Sequence, residues 1–92
     1  MTYKNILDKY KGKIIIVGSR HCPSCFKIKR IIEEKKPKNM VYLEVNDNPD
    51  LVELAQKLDI MYVPQPVLIS KDGKKACLID LETKKITKCI EV

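Results

Sequence analysis

The chain has 92 residues, of which 45% are hydrophobic and 33% charged, and this balance predicts one folded domain over residues 1–92 rather than a disordered chain. No apolar run approaches the roughly 20 residues of a membrane-spanning helix, and no apolar signal segment opens the chain, so we expect a cytoplasmic protein with no membrane partner. The formal net charge is +6, but the basic residues are dispersed among acids without an aromatic stripe, so we expect no nucleic-acid partner.

The N-terminal segment predicts a short helix followed by a buried strand. Thr2 is a suitable N-cap, and Gly12 can end the helix. The apolar residues between them recur at helical spacing: Tyr3, Ile6, Leu7 and Tyr10. The β-branched run over residues 13–18 then predicts a strand that is buried on both faces.

A second helix and a second strand follow. Pro23 suits the first position of a helix, where its missing N–H has no partner to lose, and Pro37 ends the helix. An apolar stripe at three- and four-residue steps marks the inner side: Cys25, Ile28, Ile31 and Ile32. Residues 40–45 predict the second strand.

The second half of the chain predicts a third helix and three further strands. Asn48 is a candidate cap for this helix. The apolar stripe of the helix consists of Leu51, Leu54, Ala55 and Leu58. Strands are predicted at residues 67–69, 75–81 and 85–92, with an Asp72-Gly73 turn between the first two.

This order of elements predicts an α/β fold with a mixed sheet of four to five strands, because a β-α-β unit precedes a run of antiparallel strands. The sequence leaves open whether the last segment, residues 85–92, is a strand or a helix. Ile86, Cys89 and Ile90 also fit one helical face, although a strand is the preferred interpretation. A strand there means that the chain lacks a C-terminal helix.

The motif that carries chemistry is Cys22-Pro23-Ser24-Cys25. It follows a buried strand and opens a helix, where unpaired N–H groups and the positive end of the helix dipole stabilise a thiolate. A thiolate is the species that attacks a disulfide. We therefore predict that Cys22 is the attacking thiol, and that Cys25, one turn inside the helix, is the resolving thiol. The basic neighbours Arg20, His21 and Lys27 add positive potential.

The remaining cysteines and the histidine leave alternatives open. Metal sites share the Cys-x-x-Cys spacing, but structural zinc prefers two tight pairs, and Cys77 and Cys89 form no second tight pair. Depending on the hairpin register, these two cysteines form a disulfide, or Cys77 is a small core residue. His21, the single histidine, either stabilises the Cys22 thiolate and moves a proton, or shapes an exposed binding surface.

Residues 13–75 resemble the thioredoxin/glutaredoxin superfamily. Residues 14–25 look like its first core strand and active-site turn, residues 45–49 like the end of its second strand, and residues 60–69 like its cis-proline and the strand behind it. The resemblance implies a thioredoxin-like three-layer α/β/α fold with Cys22 and Cys25 as a redox-active pair. It also implies that Pro64 is a cis-proline and that the backbone of Val63 pairs with a bound substrate strand.

The function implied by this resemblance is reduction of protein disulfides by a monomeric enzyme. It needs no metal and no cofactor beyond the Cys22–Cys25 disulfide, and its partners are disulfide-containing proteins and an unidentified reductase. The glutathione-binding Gly-Gly and acidic pair of glutaredoxins has no match in residues 70–75, so we expect weak activity with glutathionylated substrates. Two alternatives stay open: a non-enzymatic binding module on this fold, or a cysteine pair that holds a metal.

The strand over residues 14–17 lacks the buried aspartate of thioredoxins, and His21 and Ser24 replace the family's usual Trp and Tyr. The family's C-terminal helix also has no counterpart, which leaves one face of the sheet to be covered. We expect the N-terminal helix to help cover that face, with its apolar positions in the core.

Overall fold

The computed structural model describes residues 3–91. Over this range the chain forms, in order, α1 (Tyr3–Lys9), β1 (Ile14–Gly18), α2 (Pro23–Lys35), β2 (Met40–Glu44), a short 3₁₀ helix (Val45–Asp47), α3 (Pro49–Lys57), β3 (Gln65–Ile69), β4 (Lys75–Ile79) and β5 (Ile86–Glu91). Within that same range, no helix combines the length and apolar character needed to cross a bilayer.

The predicted elements are present, with small differences at their ends. The last segment is a strand rather than a helix. The predicted strand over residues 40–45 loses Val45 to the 3₁₀ helix, and the one over residues 75–81 ends at Ile79. α1 ends at Lys9, before Gly12. The proposed Thr2 cap lies outside the described residues.

The strands form one mixed five-stranded sheet in the order β2-β1-β3-β4-β5. β1 and β2 are parallel, and each of the other neighbouring pairs is antiparallel. The predicted α/β class with a mixed sheet is confirmed, and the arrangement is compatible with a small thioredoxin-like fold. The parallel β1–β2 pair brings the carboxyl ends of two strands to one edge, where the cysteine motif begins.

One face of the sheet holds the main hydrophobic core. Ile15 and Val17 of β1 point into it and pack with α1 and α3. Tyr3, Ile6 and Leu7 are buried there, so the prediction that α1 supplies core residues is confirmed. The fully buried leucines of this core are Leu7, Leu51, Leu54 and Leu58.

The opposite face carries α2, and it differs from the prediction in two respects. Ile31 is 51% exposed, so the inner stripe of α2 is narrower than its sequence indicates. α1 packs beside α3 rather than on the face that a C-terminal helix would cover. Among residues 3–91, no helix covers β3–β5 in the position of a C-terminal helix, and an open groove remains there.

Candidate active site

The site begins where β1 ends and α2 starts. Cys22 is the N-cap of α2 and has an extended backbone, while Pro23 occupies the first turn. The Sγ atom of Cys22 accepts a hydrogen bond from the backbone N–H of Cys25 at 3.3 Å. The helix therefore starts with a cysteine sulfur in the position where a Ser or Asp side chain often caps, and the free N–H groups face that sulfur.

The two cysteines differ in exposure and acidity. Cys22 is partly exposed, whereas Cys25 is fully buried. The pKa of Cys22 is lowered by its hydrogen bond with the Cys25 thiol and by the N–H groups of Cys25 and Ser24. Burial raises the pKa of Cys25. The accessible sulfur is therefore the more readily ionised one, and the sulfur beneath it keeps its proton longer.

Val63 and Pro64 lie against this cysteine pair. The Val63–Pro64 peptide bond is cis, as the resemblance implied. The Cys22 thiol donates to the Val63 carbonyl oxygen, with 3.6 Å between sulfur and oxygen. The structure thus brings together Cys22, Cys25, Val63 and Pro64, four of the seven site residues that the sequence singled out.

The other three predicted site residues, His21, Pro23 and Ser24, are exposed at the mouth of the helix. The backbone N–H of His21 donates to Ser19 Oγ. The predicted role of Arg20 needs correction, because its guanidinium forms an ion pair with the Asp47 carboxylate. Its charge is therefore balanced locally instead of being directed at Cys22.

Asn46 and Asp47, which follow β2, anchor the loop before Cys22, and the sequence analysis identified neither as a site residue. Asn46 Oδ1 accepts from Ser19 Oγ at 2.9 Å and from the Arg20 N–H at 3.3 Å. Asp47 completes the contact through Arg20. The predicted parallel pairing of β1 and β2 could have identified Asn46 and Asp47, because polar residues that follow neighbouring parallel strands meet at one sheet edge.

Tyr42 and Glu44 of β2 were also missed. In the sheet register, Ile16 pairs with Tyr42 and Gly18 pairs with Glu44. The Tyr42 ring lies against Gly18 so closely that a Cβ atom there would overlap the Tyr42 hydroxyl. This hydroxyl interacts with the Cys25 thiol. Burial is the main cause that raises the pKa of Tyr42, and the nearby Glu44 carboxylate is the second. Gly18 is thus the residue that lets Tyr42 reach the buried cysteine.

The open groove borders the same site. It has a volume of about 540 Å³ and extends from Tyr62 and Pro64 across the sheet to Ile79. Tyr62 is 75% exposed and Met61 is 83% exposed, so an apolar surface continues from the groove to the residues before the cis-proline. The groove thus adjoins the cis-proline, whose preceding residue Val63 contacts Cys22.

The site therefore combines an accessible thiol of lowered pKa, a buried second thiol and an adjoining groove. Within residues 3–91, no cluster of three or more His, Cys, Asp or Glu side chains is arranged to hold a metal ion. Neither a scan against protein-family models nor a search of curated proteins finds a match to this chain. Its chemistry must consequently be argued from its own residues.

Proposed function

We propose that this chain is a thiol–disulfide oxidoreductase that reduces protein disulfides through Cys22 and Cys25. The observation that carries the proposal is the position of Cys22 Sγ. It lies at the N-cap of α2, 3.3 Å from the Cys25 nitrogen, and 3.6 Å from the Val63 carbonyl oxygen beside the cis-proline. Such a sulfur is both activated and accessible, which is what thiol–disulfide exchange requires.

In the first step, the Cys22 thiolate attacks one sulfur of the substrate disulfide. The substrate S–S bond breaks as a bond forms between Cys22 and the attacked sulfur. The other substrate sulfur leaves with the electron pair as a thiolate and takes a proton from solvent. The product is a mixed disulfide between Cys22 and the substrate.

In the second step, Cys25 loses its proton and attacks Cys22 Sγ in the mixed disulfide. The bond between Cys22 and the substrate breaks, and the second substrate sulfur leaves as a thiolate that is then protonated. Two electrons and two protons have passed to the substrate, and Cys22 and Cys25 are joined by a disulfide. A reductase returns this disulfide to two thiols.

The surroundings of Cys22 favour a protein substrate over a small thiol. The groove next to Pro64 and the exposed side chains of Met61 and Tyr62 offer polar and apolar contacts near the reacting sulfur. Removing the exposed apolar surface of Met61 and Tyr62 from water favours association with a polypeptide. We therefore propose that disulfides in polypeptides are reduced well and that glutathionylated small substrates are reduced poorly.

The test is insulin-disulfide reduction by the purified protein with dithiothreitol as electron donor. We expect Cys22→Ser to abolish the acceleration and Cys25→Ser to trap the mixed disulfide. The matched control is the double variant Cys77→Ser/Cys89→Ser, which should retain activity. Wild-type protein that does not accelerate reduction would contradict the proposal. Thiol titration with and without a chelator then tests whether the pair holds a metal instead.

A further inference from the structure

Two polar side chains of β2 lie beneath Cys25 without a role in the steps above. Tyr42 and Glu44 are two residues apart on one strand, so their side chains lie on the same face of the sheet, the face that α2 covers. Tyr42 is partly buried and its hydroxyl interacts with the Cys25 thiol. A tyrosine hydroxyl both donates and accepts hydrogen bonds, so it can pass a proton while it remains neutral.

The Glu44 carboxylate is close enough to this hydroxyl for its charge to raise the pKa of Tyr42. Its Oε2 atom is buried and has no hydrogen-bond partner among residues 3–91. Burying an acceptor without a partner is unfavourable, so such an atom calls for an explanation, and a donor that arrives during a reaction would supply one. Tyr42 and Glu44 also share a cavity of about 40 Å³, which is larger than one water molecule needs.

We propose that Tyr42 and Glu44 form the path by which Cys25 loses its proton in the second step. Tyr42, whose hydroxyl interacts with the reacting thiol, acts in this proposal as a catalytic residue, and Glu44 is the proton acceptor behind it. This inference rests on the proposed function, because Cys25 needs to be deprotonated only if it resolves a mixed disulfide. The path supplies a base to a thiol whose burial otherwise opposes ionisation.

Each proton that moves in this step has a donor and an acceptor. The Cys25 S–H proton passes to the Tyr42 oxygen as the Tyr42 proton passes to the Glu44 carboxylate, directly or through a water in the shared cavity. Cys25 Sγ then forms its bond to Cys22 Sγ, and the substrate thiolate leaves with the electron pair of the broken bond. Glu44 afterwards returns its proton to solvent or to the departing thiolate.

Other charged groups around this path come from three elements. Cys22 lies at the start of α2, and Lys29 lies within that helix. The Lys29 ammonium is 5.9 Å from the centre of the Tyr42 ring. Arg20, from the loop after β1, lines the shared cavity and is paired with Asp47 of the 3₁₀ helix. Lys29 and the Arg20–Asp47 ion pair are therefore the other charged groups that face this path.

The experiment separates the two steps with 5,5′-dithiobis(2-nitrobenzoate) as the disulfide. Reduced protein is mixed with one equivalent in a Cys77→Ser/Cys89→Ser background. Attack by Cys22 releases the first coloured thiolate, and attack by Cys25 on the mixed disulfide releases the second. Stopped-flow absorbance follows both phases between pH 5 and 9 for the parent, Tyr42→Phe, Glu44→Gln and the double variant.

We expect the first phase to be unchanged in every variant and the second phase at pH 7 to slow at least about tenfold, the effect of losing a hydrogen bond to a charged group. The pH midpoint of the second phase should rise in Tyr42→Phe. The double variant should be no slower than the slower single variant, since both residues act on one path. The control Glu33→Gln, on the exposed side of α2, should match the parent.

Second-phase rates within about twofold of the parent for both single variants would overturn the proton path, while a two-phase parent reaction would leave the proposed function standing. Equal slowing of both phases would also overturn it, because that pattern reports a disturbed site. A parent that never releases the second thiolate would instead overturn the proposed function itself. Thermal unfolding of each variant verifies that the fold is retained.

Discussion

At the scale of single residues, the position of each cysteine on α2 accounts for its chemistry. Cys22 caps the helix, and its hydrogen bond with the Cys25 thiol, followed by the N–H groups of the first turn, lowers the pKa of its thiol. Cys25 lies three residues further on, beneath the helix and fully buried, so the pKa of its thiol is raised. Two identical side chains thereby differ in exposure and in the direction of their pKa shifts.

We predict that Cys22 is alkylated before Cys25 in the reduced protein. Iodoacetamide reacts with the thiolate, and the lowered pKa keeps Cys22 ionised at a pH where Cys25 is still protonated. Mass spectrometry of peptides after brief labelling below neutral pH should show label on Cys22 before Cys25. Preferential labelling of Cys25, or equal slow labelling of both, would contradict the assignment.

At the scale of elements, the turn between β3 and β4 is organised by one carboxylate. Asp72 Oδ1 accepts from Ser70 Oγ at 2.6 Å and from the Lys74 N–H at 3.0 Å. Gly73 supplies the positive φ of 73° that this turn requires. These hydrogen bonds lower the pKa of Asp72, and the one from Ser70 has the largest effect. The folded protein therefore favours the ionised form of Asp72.

We predict that this turn loses stability in acid. Because the pKa of Asp72 is lower in the folded state, its contribution is fully present above the unfolded pKa of about 3.9 and is lost as pH falls through the folded pKa. The unfolding midpoint of Asp72→Ala should therefore lie below that of the wild type at pH 7, and the difference should shrink toward pH 2. Asp72→Asn, which keeps an acceptor but does not titrate, is the control. A difference independent of pH would refute the interpretation.

α1 is a second element with a measurable contribution. It has seven residues, too few for an isolated helix, so its stability must come from packing against α3 and the sheet. Leu7 is fully buried in that packing. The apolar stripe of α1 therefore belongs to the core as much as the stripe of α3 does.

We predict that Leu7→Ala lowers the free energy of unfolding by about 2–5 kcal/mol, the cost of lost burial plus the cavity left behind. Urea unfolding measures it, with Lys4→Ala on the exposed side of α1 as the matched control. The control should change stability by less than about 0.5 kcal/mol. A Leu7→Ala variant as stable as this control would show that α1 does not pack as described.

At the scale of the whole molecule, a disulfide holds the outer strand of the sheet. Cys77 of β4 and Cys89 of β5 face each other in register and are joined, so the disulfide alternative of the sequence analysis is the one observed. Side chains of β5 are exposed apart from half-buried Ile90. With so little apolar burial, β5 depends on backbone pairing with β4 and on this crosslink.

We predict that reducing this disulfide weakens β5 more than the rest of the sheet. Closing a loop with a sequence separation of 12 contributes up to about 3 kcal/mol in the chain-entropy account. In a Cys22→Ser/Cys25→Ser background, dithiothreitol should lower the free energy of unfolding by up to that amount and speed amide exchange in β5, with β1 unaffected. A variant that also carries Cys77→Ser and Cys89→Ser should not respond. Unchanged unfolding on reduction would contradict the prediction.

Local pattern was sufficient to predict the order and type of the elements. Pro23 and Asn48 mark helix starts through backbone geometry and capping, which involve only residues within one turn. The spacing of Cys22 and Cys25 at the mouth of a helix is likewise local, and it identified the candidate site. These features follow from the sequence by itself because every interaction behind them joins residues close together along the chain.

The tertiary structure alone decided which distant residues meet. Apolar spacing placed Leu7 in a core but did not identify α3 as the partner of α1. The contact of Tyr42 with Gly18, and the pairing of Cys77 with Cys89, depend on strand register. A shift of one residue sends every side chain of a strand to the opposite face, and register is set by the packing of the whole sheet, which no short stretch of sequence contains.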